Sequence, residues 1–375
     1  MDRLATWRLL IEDGVDHATG LAADDALAGR VGQGLSGPIL RLYTYRPCAL
    51  VGRFQNVATE IRLEQCARRG MPVNRRPTGG GAITMGPDQL GVALILPGAG
   101  NDLYARAREL MVRFSGGICR ALAGLGIEAS FRGKNDIEVG GRKIAGLGIY
   151  RHPAGGLLFH ASLLVGLDVP LMLDVLSTPF EKISDKTIAT VTARTSTVRG
   201  ETGNDIALEA VRRRIAEGYS SVFGVRMEES AVSGEEHAAL ETLASEKYRR
   251  PEWVHQQVSL PDAFGTSRRK TPAGMLDVRV TLAGQTIKAV MLGGDFFAAD
   301  GAVADLEARL RWHPGSPRAV EKTMRAAYTH HGPDLAALPM EDAIAAVQEA
   351  VLQAGQVGAQ AQFSQYGCFV NPQGA

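Results

Sequence analysis

The sequence predicts an α+β fold, built as a catalytic domain of mixed and antiparallel sheets flanked by helices and followed by a smaller α+β accessory domain. Three observations lead there. The chain has 375 residues, more than one hydrophobic core usually organises. Strand-like and helix-like segments come in runs rather than in strict βαβ alternation. A second hairpin-and-helix cluster follows a charged stretch ending at Pro251-Glu-Trp253. The boundaries expected are 1–235 for the catalytic domain and 255–375 for the accessory domain.

Taken in order, residues 15–30 are Ala/Leu-rich with apolar positions at helical spacing, so they read as a helix. Residues 38–45 alternate apolar and polar and residues 48–52 form a short apolar run, both as strands do. Residues 60–70 form a helix closed by Gly70, and residues 72–76 a strand entering Gly79-Gly80-Gly81. Residues 91–97 read as a buried strand stopped by Pro97, and 102–124 as a long amphipathic helix. Residues 136–145 form a hairpin turning at Gly140-Gly141, and 157–165 a further strand. The Thr-rich stretch 186–194 either adds the basic groups of Lys186 and Arg194 to a site or is an exposed β segment, which its β-branched residues favour. A helix over 204–223 stops at Gly224, and a hairpin over 275–292 with helices near 303–310, 317–328 and 340–355 completes the small module.

Composition excludes several classes of function. Forty-one basic against forty acidic residues leave a net charge of +1, so the chain is no dedicated nucleic-acid binder. No window reaches the roughly 18 to 20 apolar residues of a membrane span, and the N-terminus lacks a leader pattern; the expectation is a cytoplasmic protein with no membrane partner. Cys48, Cys66, Cys119 and Cys368 lie far apart, with neither metal-site nor disulfide spacing.

The sharpest local feature is Arg75-Arg76-Pro77-Thr78-Gly79-Gly80-Gly81-Ala82. Three successive glycines allow close approach to the backbone, and their N–H groups could cradle phosphate or carboxylate oxygens beside Arg75 or Arg76. The same residues also suit a plain hairpin turn, and the Gly-Lys-Ser/Thr ending of a Walker loop is absent. Asn135-Asp136 and Gly141-Arg142-Lys143-Ile144-Ala145-Gly146 place a carboxylate and an ammonium across a hairpin. Asp136 could hold Mg²⁺ and Lys143 an acyl or phosphate oxygen, although an Asn-Asp turn with a solvent-facing lysine fits too. His160 interrupts an apolar strand, either lining a pocket or as a satisfied core histidine.

In order, these segments resemble the lipoate-protein ligase branch of the biotin/lipoate ligase and octanoyltransferase superfamily. Gly52-Arg53-Phe54-Gln55-Asn56 with Glu60, the Arg75–Ala82 loop, Asn135-Asp136, Arg142–Gly146, His160-Ala161-Ser162-Leu163-Leu164 with Asp168, and Ile188–Val191 with Arg194 each look like a family motif. Met85-Gly86 replaces the family's His-Asp, and Ala161 a glycine.

The resemblance implies ATP-dependent activation of lipoate or octanoate to an acyl adenylate, with Mg²⁺, and transfer to a lysine of a lipoyl carrier protein or lipoyl domain. It makes Lys143 the central catalytic group, contacting the acyl carboxyl or adenylate oxygen. Arg75, Arg76, Thr78, Gly79, Gly80, Gly81 and Ala82 border the acyl and adenylate pocket. Asn135 and Asp136 serve the nucleotide and its metal, and Gly146, His160 and Ser162 complete the binding set. Burying an eight-carbon chain would contribute about 6 kcal/mol before entropy losses. Two alternatives remain at this point: an ATP-independent octanoyl- or lipoyl-transferase that passes the acyl group through a cysteine thioester or directly to an amine, and a catalytically idle binding homologue.

Overall fold

An eight-stranded sheet organises the first part of the chain, and its strand order decides which side chains meet. The computed structural model describes residues 4–98, 102–133, 135–177, 185–255 and 263–367. The chain divides into two compact units, Met1–Gln256 and Gln257–Ala375.

In the first unit the strands are β1 (Thr6–Val15), β2 (Ile39–Tyr45), β3 (Cys48–Val51), β4 (Val73–Arg75), β5 (Ile83–Met85), β6 (Gln89–Leu96), β7 (Ser130–Arg132), β8 (Asp136–Val139), β9 (Arg142–Arg151), β10 (Leu157–Leu164) and β11 (Arg226–Glu229). The large sheet runs β11-β1-β2-β6-β10-β9-β8-β7, and β4-β3-β5 forms a small second sheet. β1 pairs in parallel with β11 and β2, and the large sheet is antiparallel elsewhere. This is the mixed sheet expected of the α+β class. β2 and β6 are buried almost throughout, so they read as apolar runs rather than clean alternation.

The His17–Gly32 helix lies against this sheet. Asp16 caps it, its carboxylate accepting from the Ala18 and Thr19 amides. Its small residues let it settle closely: a Cβ on Gly20 would stand 2.4 Å from the Tyr45 ring. Leu21, Ala22 and Leu27 of the helix join Tyr43, Tyr45, Leu50 and Met85 in one core cluster. Asp24 faces inward too, taking the Arg41 guanidinium at 2.8 Å and the Tyr43 hydroxyl at 2.8 Å. Glu12 also accepts from Arg41.

One expectation is corrected. Asp185–Thr192 is a helix, not an exposed strand. It packs against the Val169–Val175 helix, and that tertiary contact overrides the β propensity of its threonines and valine. The Lys186 side chain and Cys368 lie outside the described residues.

The second unit is an antiparallel sheet, β12 (Ala263–Thr271), β13 (Gly274–Ala283) and β14 (Thr286–Gly294), with helices Asp300–Leu310, Pro317–Leu335 and Met340–Gly367. The Met340–Gly367 helix packs on β12 and β13. Gly265 makes this possible, since a Cβ there would sit 2.0 Å from the Ala350 carbonyl.

Candidate active site

Cross-strand register assembles the site. Asp136 pairs with Gly146, Gly146 with Ser162, Ser162 with Gly91 and Gly91 with Tyr43, a continuous row from β8 to β2. His160 lies one pleat along, opposite Gly148 and Ala93. Paired residues share a face, so Asp136, Ser162, His160 and Tyr43 all project from one side of the sheet.

Lys143 reaches that side through a bulge. Ile137 pairs with Ala145 but Glu138 pairs with Lys143, which leaves Ile144 as the extra residue. Without the bulge Lys143 would share the opposite face with Ala145. With it, Lys143 Nζ stands 2.7 Å from Asp136 Oδ1. Its backbone is pinned as well, the amide donating to Arg194 O at 3.0 Å and the carbonyl accepting from Ser196 N at 2.7 Å.

Glycines in the row provide room. A Cβ on Gly146 would stand 3.1 Å from Lys143 Nζ, and one on Gly148 only 2.2 Å from His160 Nε2. Gly146, Lys143 and His160 line a cavity of about 100 Å³, while Gly148 and Asp136 stand behind its wall without lining it. Its polar end holds Arg76, Gly81, Ala82, Asn135, Lys143 and Gly146, with His160 and Ser162 alongside. Leu21, Tyr43, Tyr45, Leu50, Ile83 and Met85 form its apolar end. Ser162 Oγ donates to Met85 Sδ at 3.2 Å, which ties the methionine into the wall.

The glycine loop is shaped by Arg76. Its Nη2 donates to the Gly79 carbonyl at 2.9 Å and the Gly81 carbonyl at 2.7 Å, and its Nε to Thr78 Oγ1 at 3.1 Å. Gly80 adopts φ +94°, a conformation that favours glycine. Arg76 Nη1 is buried without a hydrogen-bond partner, and burial lowers the guanidinium pKa to about 10. Thr78 Oγ1 also lies 2.8 Å from His160 Nε2.

Arg75 is not brought to the cavity. It is fully buried on the other side of the strand, donating to the carbonyls of Gly52, Arg53 and Gln55 at 2.6–2.9 Å and of Trp253 and Val254 at 3.0–3.2 Å. Gly79 and Gly80 shape the loop without lining the cavity, while Tyr43, Tyr45, Leu21 and Leu50 line it without having been singled out from sequence. Only register and helix packing, which are long-range, put them there.

Burial, and secondarily the Arg76 guanidinium, hold the His160 imidazole down to about 3. Its ordinary value is 6.5, so unfolding frees a group that binds a proton more readily. The neutral native imidazole therefore contributes stability above pH 6.5 that is lost as pH falls toward 3. His160→Gln should flatten the acid limb of a stability-against-pH curve by on the order of a few kcal/mol. An unchanged acid limb in chemical denaturation would contradict this assignment.

None of Cys48, Cys66 and Cys119 lines the cavity, and burial raises all three thiol pKa values. Among the described residues no group of three or more His, Cys, Asp or Glu could hold a metal by itself. No helix there is long and apolar enough to cross a membrane.

The mixed sheet carries, between a bulged lysine and a glycine loop, a cavity lined by both polar and apolar side chains, a site shaped for a polar head on an apolar tail. Residues 16–220, more than half the chain, match the lipoyl protein ligase A/B catalytic domain, and the protein belongs to that family. Octanoyltransferase LipM of Kyrpidia tusciae is 27% identical over 277 residues, covering 68% of this chain and 100% of the relative. A bi-partite lipoate protein ligase of Thermoplasma acidophilum, studied with its E2 lipoyl domain, superposes with TM-score 0.61 at 25% identity, covering 68% of this chain and 98% of its own. A lipoate-protein ligase A bound with ATP gives TM-score 0.57 at 25% identity, covering 67% and 98%. The chain is thus an enzyme of the lipoate ligase and octanoyltransferase family.

Proposed function

We propose that the protein is an ATP-dependent lipoate-protein ligase. The observation that carries this reading is the Lys143 ammonium, paired with Asp136, at the polar end of a cavity that none of the described cysteines lines. A carboxylate oxygen of lipoate or octanoate attacks the α-phosphorus of ATP, and pyrophosphate leaves. The amine of a carrier lysine then attacks the acyl carbon, AMP leaves, and the amine's proton is lost. Lys143 holds the oxygen on which charge develops in each step, and Arg76 Nη1 offers the incoming anion a dry donor. The likeness to an ATP-bound ligase supports the nucleotide.

Asp136 fits a Mg²⁺ that is mostly held by substrate phosphates, which takes only one or two protein carboxylates. The ion would neutralise phosphate charge there; Asp136 orients Lys143 in its absence. The acceptor proposed is a lipoyl domain or carrier protein, by likeness to the archaeal ligase studied with its E2 lipoyl domain. Residues 1–235 would carry the chemistry and 255–375 the accessory role, in the cytoplasm.

A second reading follows from the relative named an octanoyltransferase: transfer of a pre-activated octanoyl group without ATP. Incubating the protein with ATP, Mg²⁺, free lipoate or octanoate and a lipoyl domain, and weighing the products intact, separates the two. Acyl-AMP and an acylated lipoyl domain are expected only when ATP is present. Acylation from an octanoyl thioester, with none from free acid and ATP, would install the transferase instead.

A further inference from the structure

Which residue of β9 bulges decides where Lys143 points, and the pairing of β8 with β9 leaves a choice. Gly140 and Gly141, with φ of +55° and +78°, make a tight turn closed by Val139 opposite Arg142. At the other end Asp136 pairs with Gly146. Between those two fixed pairs β9 has one residue more than β8, so Lys143, Ile144 or Ala145 could be the extra one. A bulge that slipped from Ile144 to Lys143 would put Ile144 opposite Glu138 and take the ammonium off the face it shares with Asp136. Burial of the Ile144 side chain opposes that slip. A second restraint acts on the backbone.

β10 pairs with β9 as far as Leu163 opposite Ala145. Beyond that point residues 194–196 take over the edge: Thr195 bridges Lys143, whose amide donates to Arg194 O and whose carbonyl accepts from Ser196 N. One carboxylate locks this segment in place. Glu201 Oε1 accepts from Ser196 Oγ and, at 2.5 Å, from Arg142 Nη2. Lys143 therefore sits in a closed ring, with the residue before it and the residue that bonds its carbonyl both tied to one oxygen. Glu201 stands on a frame separate from β9. Its Val198–Thr202 helix is seated by Val198, which is fully buried, and by Arg199, whose Nη1 donates to Asp88 at 2.6 Å.

Resting on the acyl-ligase reading above, we infer that Glu201 is a positioning residue, its carboxylate clamping Arg142 to Ser196 and so holding the bulge that aims Lys143 at the reacting oxygen. Glu201 does not line the cavity, so its effect reaches the reaction through Lys143.

Steady-state acyl-AMP formation by the full chain with ATP, Mg²⁺ and lipoate, alongside amide hydrogen exchange followed by mass spectrometry, tests this. Glu201→Ala should lower kcat about 30-fold and leave the KM for ATP within about three-fold, because the ammonium is displaced while the Arg76 end of the cavity is untouched. Added to Lys143→Ala, the same substitution should cost less than about three-fold, since the group it positions is already gone. Glu201→Gln keeps both acceptor bonds without the charge and should lose no more than about three-fold. A wild-type kcat in Glu201→Ala, or a full further 30-fold loss on top of Lys143→Ala, would overturn the assignment while adenylate formation by the wild type left the ligase reading intact. A Gln variant as slow as the Ala variant would make the charge itself the active element and overturn positioning. If the wild type forms no acyl-AMP, the ligase reading falls and exchange decides the clamp. Amides over 142–146 and 194–196 should exchange at least ten-fold faster in Glu201→Ala while those over 157–164 hold, and unchanged exchange would remove Glu201 as well. Should Glu201→Ala fail to fold, Ser196→Ala, which opens the same ring at its other tie, should lower kcat about five-fold, and a wild-type kcat there would equally overturn the assignment.

Discussion

Replacing Lys143 with alanine is expected to lower acyl-adenylate formation by about 10³-fold or more, with little change in melting temperature. The two halves of this result have separate causes. Nζ is the one ammonium at the polar end of the cavity among its lining residues, and it stands where a carboxylate or phosphate oxygen would gather charge. Its stability contribution is small, because both Lys143 and Asp136 are about a third exposed and such pairs contribute about 1 kcal/mol or less. Pyrophosphate release measures the first half and a thermal melt the second. Wild-type release from Lys143→Ala would remove the central role assigned here. Gly146→Ala is a graded companion, since its methyl would press on the flexible end of Lys143 at 3.1 Å and should displace the ammonium without removing it.

That the sequence singles out Lys143, while the geometry that brings it to Asp136 stays hidden there, marks how far local pattern reaches. The glycine loop, the hairpin at Gly140-Gly141 and the strand around His160 announce themselves through composition and spacing over a few residues. A bulge at Ile144 does not, although it alone turns Lys143 onto the face of Asp136. The apolar wall was equally hidden. Tyr43 and Tyr45 come from β2, Met85 from β5 and Leu21 from a helix, and only the pairing of β2 with β6 and the seating of that helix bring them to one cavity. The Asp185–Thr192 helix was misread for a related reason: propensity is local, and the packing that defeats it is not.

Arg75 and Arg76 offer the other large effect, because adjacent strand residues point to opposite faces and the sequence treats them alike. Arg75→Met should destabilise the protein by about 4 kcal/mol or more, as five backbone carbonyls from the 52–55 loop and the Pro251–His255 helix lose one buried charged donor. Arg76→Met should cost less stability, since it frees two loop carbonyls, Gly79 and Gly81, rather than five, and Gly81 lines the cavity. Its loss should fall on ligand instead. Among the described residues no carboxylate pairs with Arg76, so an incoming anion supplies its counter-charge, and removing the guanidinium should weaken binding of acid with ATP by about 30-fold or more. Thermal melts with and without ligand read both effects in one experiment. Arg75→Met should start lower and still rise on adding ligand, whereas Arg76→Met should start above it and rise little. The reverse pattern would mean that the guanidinium facing the cavity is Arg75, and that the loop is held by something other than Arg76.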